Sequence, residues 1–152
     1  MYLLTRLFIL LILTGFGFNP SHADGGENKS KKSPMAPYQE LIGDEKYQQA
    51  INELEKALDD DPDNADMLNL LAYSHRNLKH YDIALNYYQQ ALQIDPQHRG
   101  ANEYLGELYL QIGQLDKAEE RLEVLDKDCF FGCEEFDELE ETIAEYRKQN
   151  PS

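Results

Sequence analysis

The sequence predicts an all-α protein in which antiparallel helix pairs stack one on the next and a last helix closes the stack. Three observations predict it. Apolar residues recur at helical spacing, as in Leu68, Leu71, Ala72, His75 and Leu78, followed by Tyr81, Ala84, Leu85, Tyr88, Ala91 and Leu92. Matching residue types return at an offset of 34: Ala50, Ala84 and Ala118; Tyr47, Tyr81 and Leu115; Leu54, Tyr88 and Leu122; Leu58 and Leu92; Pro62 and Pro96. No stretch shows the alternation of a strand.

Composition narrows the function classes. The 152 residues carry 14 basic and 29 acidic side chains, a formal charge of -15, with 41% hydrophobic residues, two Cys and no Trp. That apolar content supports a packed core and excludes a wholly disordered chain. Two cysteines exclude a disulfide-dense miniprotein and a four-Cys zinc site. The acidity argues against nucleic acid, because phosphate binding draws on Lys and Arg clusters that are missing here.

Residues 1–23 read as a secretory signal peptide. Arg6 precedes the apolar stretch Leu7 to Phe18, and Ser21-His22-Ala23 supplies small residues at the outer and inner positions of a cleavage site. The stretch holds twelve residues, with Thr14, Gly15 and Gly17 inside it, against roughly 20 needed to span a bilayer. No stable membrane insertion is expected after cleavage, and a periplasmic or secreted location follows. Residues 24–37 read as a flexible linker of Gly, Lys, Ser, Asn and Pro, too poor in apolar side chains to repay the entropy of ordering. Lys29, Lys31 and Lys32 offer a weak contact to an anionic lipid surface, against the plainer reading of a solvated linker.

The folded domain is expected over 38–149. It starts with a partial repeat, 38–64, in which Pro37 leaves only a short turn near Tyr38 to Ile42 before a helix from Lys46 to Leu58. Full repeats follow at 65–98 and 99–132. Asn64 caps the helix beginning at Ala65, with Asp66 in its first turn. Ala at the shared position lets helix backbones approach, and Pro62 and Pro96 stop the second helices. Gly113 supplies the positive backbone angle between the last two paired helices. A capping helix, 133–148, carries Phe136, Leu139, Ile143 and Tyr146 on one stripe, with seven acids between Glu134 and Glu145 on the rest. It hides the apolar end of the stack and shows water a polar face. The same acids could instead dock a basic partner.

The third unit carries Leu105-Gly106, Tyr109, Ala118 and Leu122; the second carries Leu68, Leu71-Ala72, Ala84, Tyr88 and Pro96. On these residues, covering 38–130, the chain resembles the tetratricopeptide repeat family, in its small exported bacterial type. That family's 34-residue unit reads W-x2-L-G-x2-Y, A-x3-F and a closing P. His75 stands where the pattern has Tyr, Leu125 where a small residue is usual, and Phe130 where the closing Pro belongs. The resemblance implies a right-handed superhelical stack whose concave face, built by the first helix of each pair, holds a peptide. Carried onto this chain, that face is Asn69, Tyr73, Arg76 and Asn77 in the second unit and Glu103, Glu107 and Gln111 in the third. It departs from the Lys and Asn clamp with which some members hold an acidic C-terminus. Glu103 and Glu107 favour a neutral or basic segment instead. The competing account is that all seven are ordinary solvent-facing positions.

Cys129 and Cys133 are the residues with reactive chemistry. Their C-x3-C spacing closes a disulfide if Phe130-Phe131-Gly132 turns, and export favours the oxidised state. Such a bridge contributes about 2 kcal/mol in the chain-entropy model, enough to set the angle of the cap. A redox dithiol is the rival, but Asp126, Asp128, Glu134 and Glu135 outweigh Lys127 and oppose a thiolate. Copper carriage is another, yet it needs a further ligand, and His75, His80 and His98 are scattered.

No nucleophile elbow, H-E-x-x-H pair or phosphate-binding Gly loop is present, and Asp59-Asp60-Asp61-Pro62-Asp63 lacks calcium-loop spacing. The expected protein is a non-enzymatic interaction module of the bacterial periplasm. It needs no cofactor or metal and binds a protein or peptide through its concave face. The alternative is a thiol-redox or copper accessory protein using Cys129 and Cys133. So short a stack also leaves room for assembly into homo-oligomers.

Overall fold

A computed structural model describes residues 33–151. The expected signal peptide and nearly all of the linker, with Lys29, Lys31 and Lys32, lie outside the described residues. Seven helices and no strand occur among the described residues: α1 Ala36–Gly43, α2 Tyr47–Asp60, α3 Ala65–Asn77, α4 Tyr81–Ile94, α5 Arg99–Gln111, α6 Leu115–Asp128 and α7 Glu134–Gln149. None of them is long and apolar enough to cross a membrane. Three antiparallel pairs, α1/α2, α3/α4 and α5/α6, stack in chain order, and α7 packs on both α5 and α6.

The first pair corrects the expectation of a short turn. Pro37 lies in the first turn of a complete, if short, helix. The reason is that first-turn N–H groups have no partner inside a helix, so proline forfeits nothing there.

The 34-residue period is written into both packing and backbone. Ala50, Ala84 and Ala118 are all fully buried, one in each second helix. Glu45, Lys79 and Gly113, again one period apart, take φ of 58°, 62° and 77°. At each of them the chain leaves a first helix through the same pair of bonds: Lys79 N–H donates to Arg76 O and His80 N–H to His75 O, as Gly113 N–H donates to Leu110 O and Gln114 N–H to Tyr109 O. Only the third repeat spends a glycine on this left-handed position. Asn64 caps α3, its Oδ1 accepting from the Met67 amide at 3.0 Å.

One core cluster runs through α3 to α7 around Tyr88, Leu105, Leu108, Leu125, Leu139 and Ile143. A smaller one joins Ala50, Ile51 and Leu54 to Leu71. Each fully buried Leu contributes about 2 kcal/mol through its apolar area. The cap docks through a single close approach. A Cβ on Gly106 would lie 2.6 and 2.7 Å from the two methyl carbons of Leu139, so the missing side chain is what lets Leu139 seat with no exposed surface.

Candidate functional site

The expected groove residues lie on α3 and α5, which pack against each other, with α7 against α5. At their centre is Arg76. The guanidinium lies over the rings of Tyr73 and Tyr104, 5.2 and 5.4 Å from their centroids, and those rings meet at 4.9 Å. Its Nη1 donates to the Glu107 carboxylate. Burial opposes the charge on Arg76, but the charge and hydrogen bond of the Glu107 carboxylate beside it help to outweigh that, so the guanidinium is held more firmly protonated than usual. Tyr88 is fully buried and its hydroxyl is raised well above the ordinary phenol range, chiefly by desolvation.

The seven residues expected to line an open groove therefore divide. Asn69, Arg76 and Glu103 are buried. Asn69 sits against the backbone of Gly100, where an added Cβ would be 3.2 Å from its Nδ2. Glu103 is only 3% exposed. Burial, then a hydrogen bond with Glu138 and the charges of Glu107, Glu138 and Glu135, push its pKa up to about 9, so it is neutral at pH 7. Glu107 is tied to Arg76, and Tyr73 is half-buried in the aromatic sandwich. Asn77 and Gln111 face solvent, with Asn77 Nδ2 donating to Tyr73 O at 2.9 Å.

This corrects the expectation that Glu103 and Glu107 present free negative charge. The physical reason is α7: the capping helix lies along α5 and takes Glu103 out of water. The same helix creates the open part of the site, a cleft lined by Glu107, Leu110 and Gln111 from α5 and by Thr142, Glu145 and Tyr146 from α7. Sequence reasoning missed Tyr104 and the α7 contribution. Tyr104 follows Glu103 on the same helix, and its sequence signal is weak because its partner Tyr73 lies 31 positions earlier. Its hydroxyl is pushed up to about 12 by burial first and then by Glu103.

The cysteines lie at the far corner, between α6 and α7. Their Cα atoms are 5.5 Å apart with the sulfurs at bonding distance. Gly132, at φ 85°, makes the turn the spacing requires, its N–H donating to Cys129 O at 2.7 Å. Of the histidines, His75 and His80 meet Nδ1 to Nδ1 at 3.3 Å, and His98 caps α5 while pairing with Asp66 at 3.0 Å. Among the described residues no three His, Cys, Asp or Glu side chains converge in a metal-holding group.

Comparison with known proteins agrees with this architecture. The first TPR of Spaghetti, bound to the HSP90 peptide SRMEEVD, superposes with a TM-score of 0.63 at 21% identity, over 72% of this chain and 86% of that one. The TPR2B domain of yeast Sti1, in a pHsp70 complex, gives 0.67 at 16% identity over 74% and 92%. The Yersinia enterocolitica type III secretion translocator chaperone SycD gives 0.65 at 17% over 77% and 91%. No curated protein sequence matches significantly. The sequence profile of the tetratricopeptide repeat matches residues 41–84 and 77–128, together more than half of the chain. With its stacked helix pairs and their 34-residue register, the chain belongs to the tetratricopeptide repeat family.

Proposed function

We propose that this protein is a non-enzymatic interaction module that binds an extended protein segment in the cleft between α5 and α7 and along the adjoining concave face. The observation that carries the proposal is the cleft itself: Tyr146 offers apolar surface over the buried Leu110, Gln111 and Thr142 offer hydrogen bonds, and Glu145 leaves one carboxylate at the rim. The chemistry suits a neutral or basic segment. An acidic C-terminus of the kind in the Spaghetti complex finds no free cation here, because Arg76 is already neutralised by Glu107.

The test is a panel of labelled peptides, neutral, lysine-containing or acidic at the C-terminus, titrated into the intact protein. Lysine-containing peptides are expected to bind best and to lose about tenfold in affinity to Glu145→Lys or Gln111→Arg, about 1.4 kcal/mol. Preference for the acidic peptides would overturn the reading.

The site of action we propose is outside the cytoplasm of a bacterium, after removal of residues 1–23. Fractionation with N-terminal sequencing tests it: the mature chain should begin at Asp24 and leave with the periplasmic or secreted fraction. For Cys129 and Cys133 we favour a permanent structural bridge over a thiol-redox or copper role. Cys129 is 8% exposed, and four acids lie within three residues of the pair in sequence; both features oppose thiolate formation and attack.

A further inference from the structure

The described surface is well covered except at one point. Ile83 and Ile94 are exposed to 46% and 42%, but Phe130 and Phe131 stand out at 85% and 96%. Their rings meet edge to face at 5.0 Å, so each covers the other and nothing else covers either. They form the tip of the loop closed by Cys129 and Cys133, turned through Gly132. A chain of five residues joined at its ends has little freedom to fold the rings back. The loop therefore holds about the largest apolar side chains available in water, with the ordering entropy already spent before any contact is made.

The tip does not stand alone. α6 and α7 run antiparallel away from it, and a cleft between them has Leu122 and Phe136 as its floor. Asp126 and Phe136 are the cleft residues nearest the turn in sequence, and the tip follows Asp126 and precedes Phe136 in the chain. The rim is acidic: Glu119, Glu123 and Asp126 lie along α6, and Glu134, Glu135 and Asp137 open α7. Of the cations near it, Arg147 is held by Glu119 at 2.6 Å and Arg99 by Asp128 at 2.7 Å, while Lys127 makes only a loose, exposed contact with Glu123 at 4.0 Å that an incoming cation can replace.

We propose that this α6–α7 corner is a second docking surface, on which a cationic amphipathic helix of another protein lays its apolar face over Phe130, Phe131 and the Leu122–Phe136 floor. Its Lys or Arg residues meet Glu123, Asp126 and Glu134. Charge complementarity selects this occupant. A second copy of the chain brings the same acids, on a protein of formal charge -15, and an anionic lipid surface is repelled by them. The Cys129–Cys133 bridge thereby has a second purpose besides fixing the cap: it holds the aromatic tip in its binding shape.

The experiment uses the intact protein as the cell makes it and a labelled amphipathic helix of leucine and lysine, followed by anisotropy. Phe130→Ser/Phe131→Ser keeps every charge and removes no buried contact, and it should weaken binding by roughly tenfold or more, as loss of an interface anchor does. Glu123→Lys/Asp126→Lys should weaken it independently. Cys129→Ser/Cys133→Ser should weaken it several-fold with far-UV helicity retained. All of these variants are compared in a Gln111→Arg background, which weakens the α5–α7 cleft for lysine-containing segments, so failure here and failure of the concave-face reading are separable. Equal affinity in the Phe variant overturns the proposal. It is also overturned if the Phe pair is needed instead for sedimentation with phosphatidylcholine vesicles, or for concentration-dependent self-association.

Discussion

Arg76 and Glu107, on the first helices of successive repeats, form an ion pair roofed by Tyr73 and Tyr104. It ties α3 to α5 across the repeat boundary by charge. Arg76 is 9% exposed and Glu107 23%, so neither charge is well hydrated without the other.

Removing one partner should therefore cost more than removing both. Glu107→Gln leaves a buried guanidinium unpaired and is expected to lower stability by about 2 kcal/mol. Arg76→Met/Glu107→Leu should recover most of that loss, because the double change also removes the desolvation cost. Urea unfolding of the two variants beside the parent checks the order.

Glu103 gives a pH dependence of definite sign. Its folded pKa of about 9 lies above the ordinary 4.5, so between these values the folded state holds a proton that the unfolded state has lost. Stability from this group is intact below pH 4.5 and is lost as pH rises toward 9. Glu103→Gln has no such proton to hold. It should be more stable than the parent by about 2 kcal/mol at pH 7, with the difference vanishing near pH 4 in thermal melts.

The cap depends on an absent atom. Gly106→Ala places a methyl inside the van der Waals envelope of Leu139, which is fully buried and has nowhere to swing. The expected loss is roughly 2 kcal/mol, and Leu139→Val in the same chain should return part of it. Hydrogen exchange of α7 amides should rise in the single variant before that of α3 or α4.

Lys79 occupies the left-handed position that Gly113 fills one repeat later. Lys79→Gly removes the clash of its Cβ while adding unfolded-state entropy, and the balance should favour folding by about 0.5–1 kcal/mol. Gly113→Ala should lose a similar amount, read as opposite shifts of the thermal midpoint.

The repeating part of this architecture was legible because it is local. The Ala50, Ala84, Ala118 series and the Asn64 cap depend on residues a turn or two apart, and a helical period reports them directly. Pro37 misled because proline breaks helix interiors but not first turns. Glu103 and Arg76 misled for another reason: the family resemblance assigned them to an open groove, but a pattern of first-helix positions does not reveal what packs over them.

The amino-acid sequence by itself determined that helices would form, where they would turn and with what period they would stack, since propensity, capping and apolar spacing act within a few residues. The tertiary structure alone decided which polar side chains remain in water. α7 folding back over α5 neutralised Glu103, the pairing of Arg76 with Glu107 silenced the expected charges, and the bridged corner left Phe130 and Phe131 uncovered. Desolvation is set by everything packed around a group, and the partners that matter here, Tyr104 and Glu107 for Arg76 and Glu138 for Glu103, come from 28 to 35 positions away in the chain.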